Sequence, residues 1–191
     1  MADGERIYYE QLDPLSDLRS GHSARYFMAR GYLRPFDRVL DAACGAGGGT
    51  QILVGAERVH VTGYDYDEKA IAHARKTYTS PEITFLQQDL DEWQPLKDQC
   101  DVAVSFETIE HLKNDPKIFA EKLKTAAGRM IICSAPIVPT VGINHHHRHD
   151  LTDEQMVAMF QDSEWVLYEK FKQRVYGVYV FARKSEAKSI V

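Results

Sequence analysis

Short apolar runs rich in β-branched residues recur along the chain, separated by stretches whose apolar positions fall at helical spacing. The runs VLDAAC (39–44), VHVTGYD (59–65), ITFLQQD (83–89), DVAVSFE (101–107) and RMIICSAP (129–136) read as strands. Helix-like stretches lie between the first three and between the last two. Strands that are apolar on both faces belong in a mostly parallel sheet covered by helices on each side, joined by right-handed crossovers. Upstream, Ala24, Phe27, Met28 and the Tyr32–Leu33 pair predict a helix from Ser20 to Leu33, ended by Pro35. Downstream, the helix pattern LTDEQMVAMFQD (151–162) is followed by EWVLYEKFKQ and VYGVYVFARK with only a brief break, so the last two strands should pair antiparallel. Thr152 reads as the cap of that last helix, with Gln155 at its third position. The fold class is α/β: a seven-stranded, mostly parallel sheet with an antiparallel C-terminal hairpin.

Composition narrows the setting. A chain of 191 residues suits a single core. We divide it into a polar leader over 1–19, one folded domain over 20–184 and a frayed tail over 185–191. No apolar run is long enough to span a bilayer, and the polar, acidic start lacks the marks of a secretory signal, which predicts a cytoplasmic protein. The three cysteines, Cys44, Cys100 and Cys133, are an odd number in or beside strand-like surroundings and read as reduced thiols. The net charge of −5 argues against a partner coated by its phosphate backbone, such as nucleic acid.

Candidate chemistry gathers at the carboxyl ends of the strands. The first strand carries Asp41, followed by a glycine-rich turn with Gly45, Gly47, Gly48 and Gly49, where a backbone without Cβ atoms can approach a ligand closely. A nicotinamide-dinucleotide fingerprint would want glycine or alanine where Thr50 stands, and the Gly-Lys-Ser/Thr ending of a phosphate loop is absent. The second strand ends in Asp65, twenty residues after Gly45, where a carboxylate can accept both hydroxyls of a ribose. The third ends in Gln88, Asp89 and Leu90. Three successive strands each bring an acid to the edge where open α/β sheets bind ligands.

In this order of glycine loop and acids the sequence, from about Arg25 to Arg183, resembles the class I, Rossmann-like S-adenosylmethionine-dependent methyltransferases. The resemblance implies S-adenosylmethionine as cofactor. It would set Asp41 near the cofactor's amino group, line the loop with Gly45 and Gly47, place Asp65 on the ribose and Asp89 on the adenine amino group, and pack Phe106 on the cofactor. Ala43, Tyr66, Gln88 and Leu90 flank those positions and join the set. An arginine before the first strand supplies the carboxylate's partner in such enzymes, and Arg25 in HSARYFMA is the candidate, with Arg19 its rival.

The fourth strand leads into SFETIEHL, where Glu107, Glu110 and His111 stand at i, i+3 and i+4 and would share one face of a helical turn. This segment resembles a motif of ubiquinone-pathway O-methyltransferases and small-RNA 3′-terminal 2′-O-methyltransferases. In some of these the two glutamates and the histidine bind a divalent metal. In the loop NHHHRHDLT, His147, five residues before Thr152, matches the histidine that completes the metal set of the RNA enzymes. Glu107, Glu110, His111 and His147 are therefore the candidate ligands for Mg²⁺, Mn²⁺, Zn²⁺ or Fe²⁺, and Glu107, His111 and His147 the candidate catalytic groups. The alternative is a metal-free enzyme in which one histidine acts as base. His145, His146 and His149 are expected to be exposed loop residues. The expected activity is O-methylation of a small-molecule acceptor, a sugar or other natural product. The rivals are 2′-O-methylation of an RNA end and a cofactor-binding module without catalysis.

Overall fold

The computed structural model describes residues 21–55 and 58–187. The leader over 1–19, Arg19 with it, and the last four residues of the expected tail lie outside that range. The chain divides into two compact units, residues 1–90 and 91–191.

The first unit runs α1 (His22–Arg30), β1 (Arg38–Ala42), α2 (Gly48–Val54), β2 (His60–Asp65), α3 (Glu68–Thr77) and β3 (Ile83–Gln87). β1 pairs parallel with β2, and β2 with β3. The helix expected over 20–33 is shorter at both ends. Past Arg30 the backbone tightens into i→i−3 bonds, Gly31 N donating to Met28 O (2.9 Å) and Tyr32 N to Ala29 O (3.0 Å), so the α-helix stops before Pro35. α3 starts at Asp67, whose carboxylate accepts from the backbone of Lys69 (2.8 Å) and Ala70 (3.3 Å). It buries Ala70, Ile71 and Ala74, and Ile71 and Ala74 close a core cluster with Cys44 and Phe85. Gly63 lets β2 pass beneath that cluster, since a Cβ there would lie 2.9 Å from the Cys44 sulfur and from the Phe85 ring.

The second unit holds β4 (Cys100–Phe106), a 3₁₀ turn (Ile109–His111), α4 (Pro116–Ala126), β5 (Ala127–Pro136), α5 (Asp153–Phe160), β6 (Trp165–Gln173) and β7 (Tyr176–Arg183). β4 pairs parallel with β5, while β7 pairs antiparallel with both β5 and β6. β5 and β7 supply the centre of the core: Met130, Ile131, Ile132, Val180 and Phe181 are fully buried, and Phe181 stacks on Phe160 at 4.8 Å. α5 opens on the expected capping box, with Thr152 and Gln155 exchanging backbone-to-side-chain bonds (3.2 and 2.8 Å). The seven strands are those of the Rossmann-like α/β fold with an antiparallel C-terminal hairpin. All three cysteines are free and buried, and burial raises the Cys133 thiol far out of the reactive range. Among the described residues no helix is long and apolar enough to cross a membrane.

Candidate active site

In the first unit the chemistry collects where β1, β2 and β3 end. The turn after β1 reverses through two left-handed glycines, Gly45 (φ 55°) and Gly47 (φ 90°). The Gly45 N–H donates to Asp65 Oδ2 (3.0 Å) and the Asp67 N–H to Asp65 Oδ1 (2.9 Å), so one carboxylate ties the glycine turn to the start of α3. Gly49 matters for a different reason. A Cβ there would fall 2.1 Å from the Tyr26 ring, which seats α1 directly on α2.

That contact carries Tyr26 to Asp41. The Tyr26 hydroxyl donates to Asp41 Oδ1 (3.1 Å) and the Thr50 hydroxyl to Oδ2 (2.7 Å). Asp41 is nevertheless wholly buried, and loss of hydration outweighs the two hydrogen bonds, raising its carboxyl from 3.8 to about 7. Tyr26 and Thr50 were not among the expected site residues. In the sequence Thr50 marks only a departure from a dinucleotide fingerprint, although its place early in the helix after Asp41 is a usable signal.

The other expected cofactor residues of this unit sit as follows. Arg25, on α1, is 3% exposed with Nη2 3.5 Å from His22 Nδ1. Ala43 is half-buried in the turn. Tyr66 is exposed, its carbonyl accepting from Gln87 Nε2 (3.1 Å). Gln88 and Asp89 are half-buried just past β3 and Leu90 is buried; Gln88 N donates to Asp65 O (2.9 Å) and its side chain to Asp89 O (3.0 Å).

In the second unit Phe106 ends β4 and is buried. Beyond it the expected helical turn does not begin at Glu107. That residue takes a left-handed backbone (φ 51°), and its N–H donates to Ser134 Oγ (3.2 Å) while its carboxylate accepts from the same hydroxyl (2.5 Å). Only Ile109–His111 are helical, and as a 3₁₀ turn. Glu107 thus bonds to Ser134 on β5, and the single helical face expected for Glu107, Glu110 and His111 does not form.

The remaining three converge. Glu110, His111 and His147 each offer a ligand atom, and these atoms lie within 4.8 Å of one another. Glu110 is 1% exposed, with His111 Nε2 3.8 Å from its Oε1, and the His111 and His147 rings meet edge to face at 4.6 Å. The loop reaches this place by pairing with the 3₁₀ turn: Arg148 N (2.8 Å) and His149 N (3.3 Å) both donate to Glu110 O. His145 is exposed, as expected. His146 and His149 are half-buried instead, because the His146 carbonyl lies 3.2 Å from His111 Nδ1 and His149 Nε2 lies 3.0 Å from Leu112 O.

The donor set fits a divalent cation. Two ligands bound to one ion at about 2.1 Å stand no more than about 4.2 Å apart, so any pair near the 4.8 Å limit would have to draw closer to hold one. With Glu107 withdrawn the set holds two imidazole nitrogens and one carboxylate. That composition suits Zn²⁺, Mn²⁺ or Fe²⁺ better than Mg²⁺, which prefers oxygen.

Comparison with known proteins bears on the domain and its fold. Residues 39–126 match the family described as Methyltransferase domain. A Mycobacterium tuberculosis protein described as a probable S-adenosylmethionine-dependent methyltransferase is 32% identical over 136 residues, which is 67% of this chain. The chain spans about half of that relative's own length, 48%. The fold of a Mesorhizobium loti S-adenosylmethionine-dependent methyltransferase is similar, with a TM-score of 0.72 over 82% of this chain and 96% of that one at 16% identity. So is that of the Synechocystis magnesium protoporphyrin IX methyltransferase solved with bound S-adenosylmethionine, with a TM-score of 0.68 over 91% of this chain and 86% of that one at 19% identity. Residues 39–126 thus match a methyltransferase domain, and the fold is the Rossmann-like one of S-adenosylmethionine-dependent methyltransferases.

Proposed function

We propose that the protein transfers the methyl group of S-adenosylmethionine to a hydroxyl of a small molecule, a sugar or other natural product, and that Glu110, His111 and His147 serve the acceptor with a divalent cation. The observation that carries this reading is the approach of those three ligand atoms to within 4.8 Å in a chain with a methyltransferase domain. In the cofactor half of the reading, Asp65 accepts from the ribose hydroxyls, Asp89 meets the adenine, Asp41 faces the ammonium group, and Arg25 pairs with the carboxylate. Gly45 and Gly47 keep the turn free of side chains at the ligand.

Bound S-adenosylmethionine supplies an electrophilic methyl on a sulfonium, so the protein's task is chiefly to align the acceptor oxygen and remove its proton. A cation at the cluster would hold that oxygen and lower the hydroxyl pKa. Glu110, as a carboxylate ligand, would balance part of the positive charge there, and the acidified proton would pass to solvent; without a cation, an uncoordinated imidazole of His111 or His147 would take it.

The test is methyl transfer from labelled S-adenosylmethionine to a panel of sugars, phenolic natural products and short RNA 3′ ends, with and without a chelator. Transfer to a small hydroxyl compound, abolished by chelation and by His147→Ala while calorimetric cofactor binding persists, is the expected result. Turnover indifferent to chelation would remove the cation and leave His111 as the base. Transfer confined to RNA ends would move the substrate to the rival class.

A further inference from the structure

The loop after β5 holds His147 by a short hydrogen-bond chain through Thr140 and Asp150. Asp150 Oδ1 accepts from the backbone N–H of Thr140 (2.6 Å) and of Val141 (2.9 Å), and from the Thr140 hydroxyl at 3.4 Å. The Thr140 hydroxyl oxygen in turn lies 2.7 Å from His147 Nδ1. The two backbone N–H groups hold the Asp150 carboxyl below the usual carboxylate range, so it is an anion throughout the neutral region.

An anion on one side decides how the hydroxyl is used. If the Thr140 O–H pointed at His147, its oxygen lone pairs would face the Asp150 carboxylate. With the O–H turned toward Asp150, the lone pairs face His147 Nδ1, which must then carry the hydrogen. A neutral imidazole has one N–H only, so its lone pair falls on Nε2. His111 reaches the same state by a different route. Its Nδ1 lies 3.2 Å from the His146 carbonyl, which can only accept, so Nδ1 carries a hydrogen, and in the neutral ring Nε2, 3.8 Å from Glu110 Oε1, is the nitrogen left with the lone pair.

We infer that Thr140 and Asp150 are positioning residues, which fix His147 as the Nδ1–H tautomer and thereby keep its Nε2 lone pair for the Glu110–His111 cluster. This rests on the reading that His147 serves the acceptor site. It adds to that reading the two groups that make the imidazole a ligand or base instead of a donor. Outer partners of this kind orient ligating histidines and raise their basicity.

The tautomer is measurable without turnover. Two-bond proton–nitrogen correlation spectra of the ¹⁵N-labelled protein, recorded well above the ordinary histidine pKa of roughly 6.5, distinguish N–H from lone-pair nitrogens. His147 is identified by the signal lost in His147→Gln. The parent should show His147 as Nδ1–H. Thr140→Val, which keeps the backbone N–H and the branched shape but removes the hydroxyl, should shift it toward Nε2–H, and Thr140→Ser should preserve the parent pattern. Asp150→Asn, which keeps an oxygen for the two backbone N–H groups but removes the charge, should shift it in the same direction as Thr140→Val. In parallel, zinc titration should show about ten-fold weaker binding for Thr140→Val and near-parent binding for Thr140→Ser. A parent His147 in the Nε2–H form overturns the inference, as does a Thr140→Val or Asp150→Asn spectrum identical to the parent. If the parent shows the Nδ1–H pattern with its Thr140 dependence but binds no zinc, the positioning role stands and the cation reading falls.

Discussion

Asp65 shows how much one carboxylate is asked to do at the end of β2. Each of its oxygens already accepts one backbone N–H, from Gly45 and from Asp67, so the group that would meet the ribose also fixes the glycine turn at a defined distance from α3. A carboxylate has about four lone-pair directions, so its acceptor capacity exceeds these two bonds. Asp65→Ala is expected to weaken S-adenosylmethionine binding more than ten-fold, about 2 kcal/mol, since hydrogen bonds to a charged acceptor vanish and the Gly45 N–H loses its acceptor. Calorimetric titration of parent and variant measures this directly. Equal affinities would remove Asp65 from the cofactor site. Glu107 is the counterpart in the second unit, a residue whose role its sequence spacing misrepresents. Spacing at i, i+3 and i+4 assumes one continuous helical turn, whereas a left-handed backbone at Glu107 and the Ser134 hydroxyl one strand away redirect the carboxylate. Nothing in the run SFETIEHL announces either event.

At the level of elements, the sequence was legible wherever the signal was local. Period and β-branching located every strand of the sheet, and the Thr152–Gln155 pair announced the capping box that the structure forms. What stayed hidden were side-chain contacts that follow neither helix nor strand spacing: Tyr26 on Asp41, Ser134 on Glu107, Thr140 and Asp150 behind His147. Of these, the seating of α1 on α2 is the most exposed to test. Gly49 sits in a helix, where alanine would ordinarily be favoured by about 1 kcal/mol, yet a methyl there would overlap the Tyr26 ring. Gly49→Ala is therefore expected to destabilise the protein by roughly 1–3 kcal/mol, the cost of overpacking a filled site. Combined with Tyr26→Ala the same methyl should be tolerated or even favourable, because the space it needs has been vacated. Denaturant unfolding of the two single variants and the double variant gives the coupling. Additive losses would mean that Gly49 is present for some reason other than the Tyr26 contact.

For the whole molecule, the unusual liability is Asp41. Its carboxyl is wholly buried and raised from 3.8 to about 7, chiefly by loss of hydration, which the Tyr26 and Thr50 hydroxyls only partly offset. A raised acid pKa works against the fold as pH rises. Below 3.8 the group is protonated in both states and costs nothing. Between 3.8 and about 7 the unfolded chain ionises while the folded one keeps its proton, so stability falls with increasing pH, and above about 7 the full cost remains. The difference amounts to on the order of 4 kcal/mol. The partly exposed Asp153 and Asp162 have the opposite sign. Their carboxyls are held low mainly by Lys170 and Lys124, and the stability they add is lost only as pH falls below the ordinary range. The windows therefore separate. Asp41→Asn keeps an acceptor for one hydroxyl and mimics the protonated form, so the parent should lose stability relative to the variant as pH rises from about 4 to 7. Subtracting the two urea-unfolding curves across that range isolates the group, because every other titration is common to both. Parallel curves would show that Asp41 ionises as readily in the folded protein as in the unfolded chain. A declining difference would identify a buried acid kept at a cost to the apo protein, as expected of a group that meets the cofactor's ammonium. Saturating S-adenosylmethionine should then reduce the difference, since a cation beside Asp41 favours the ionised form.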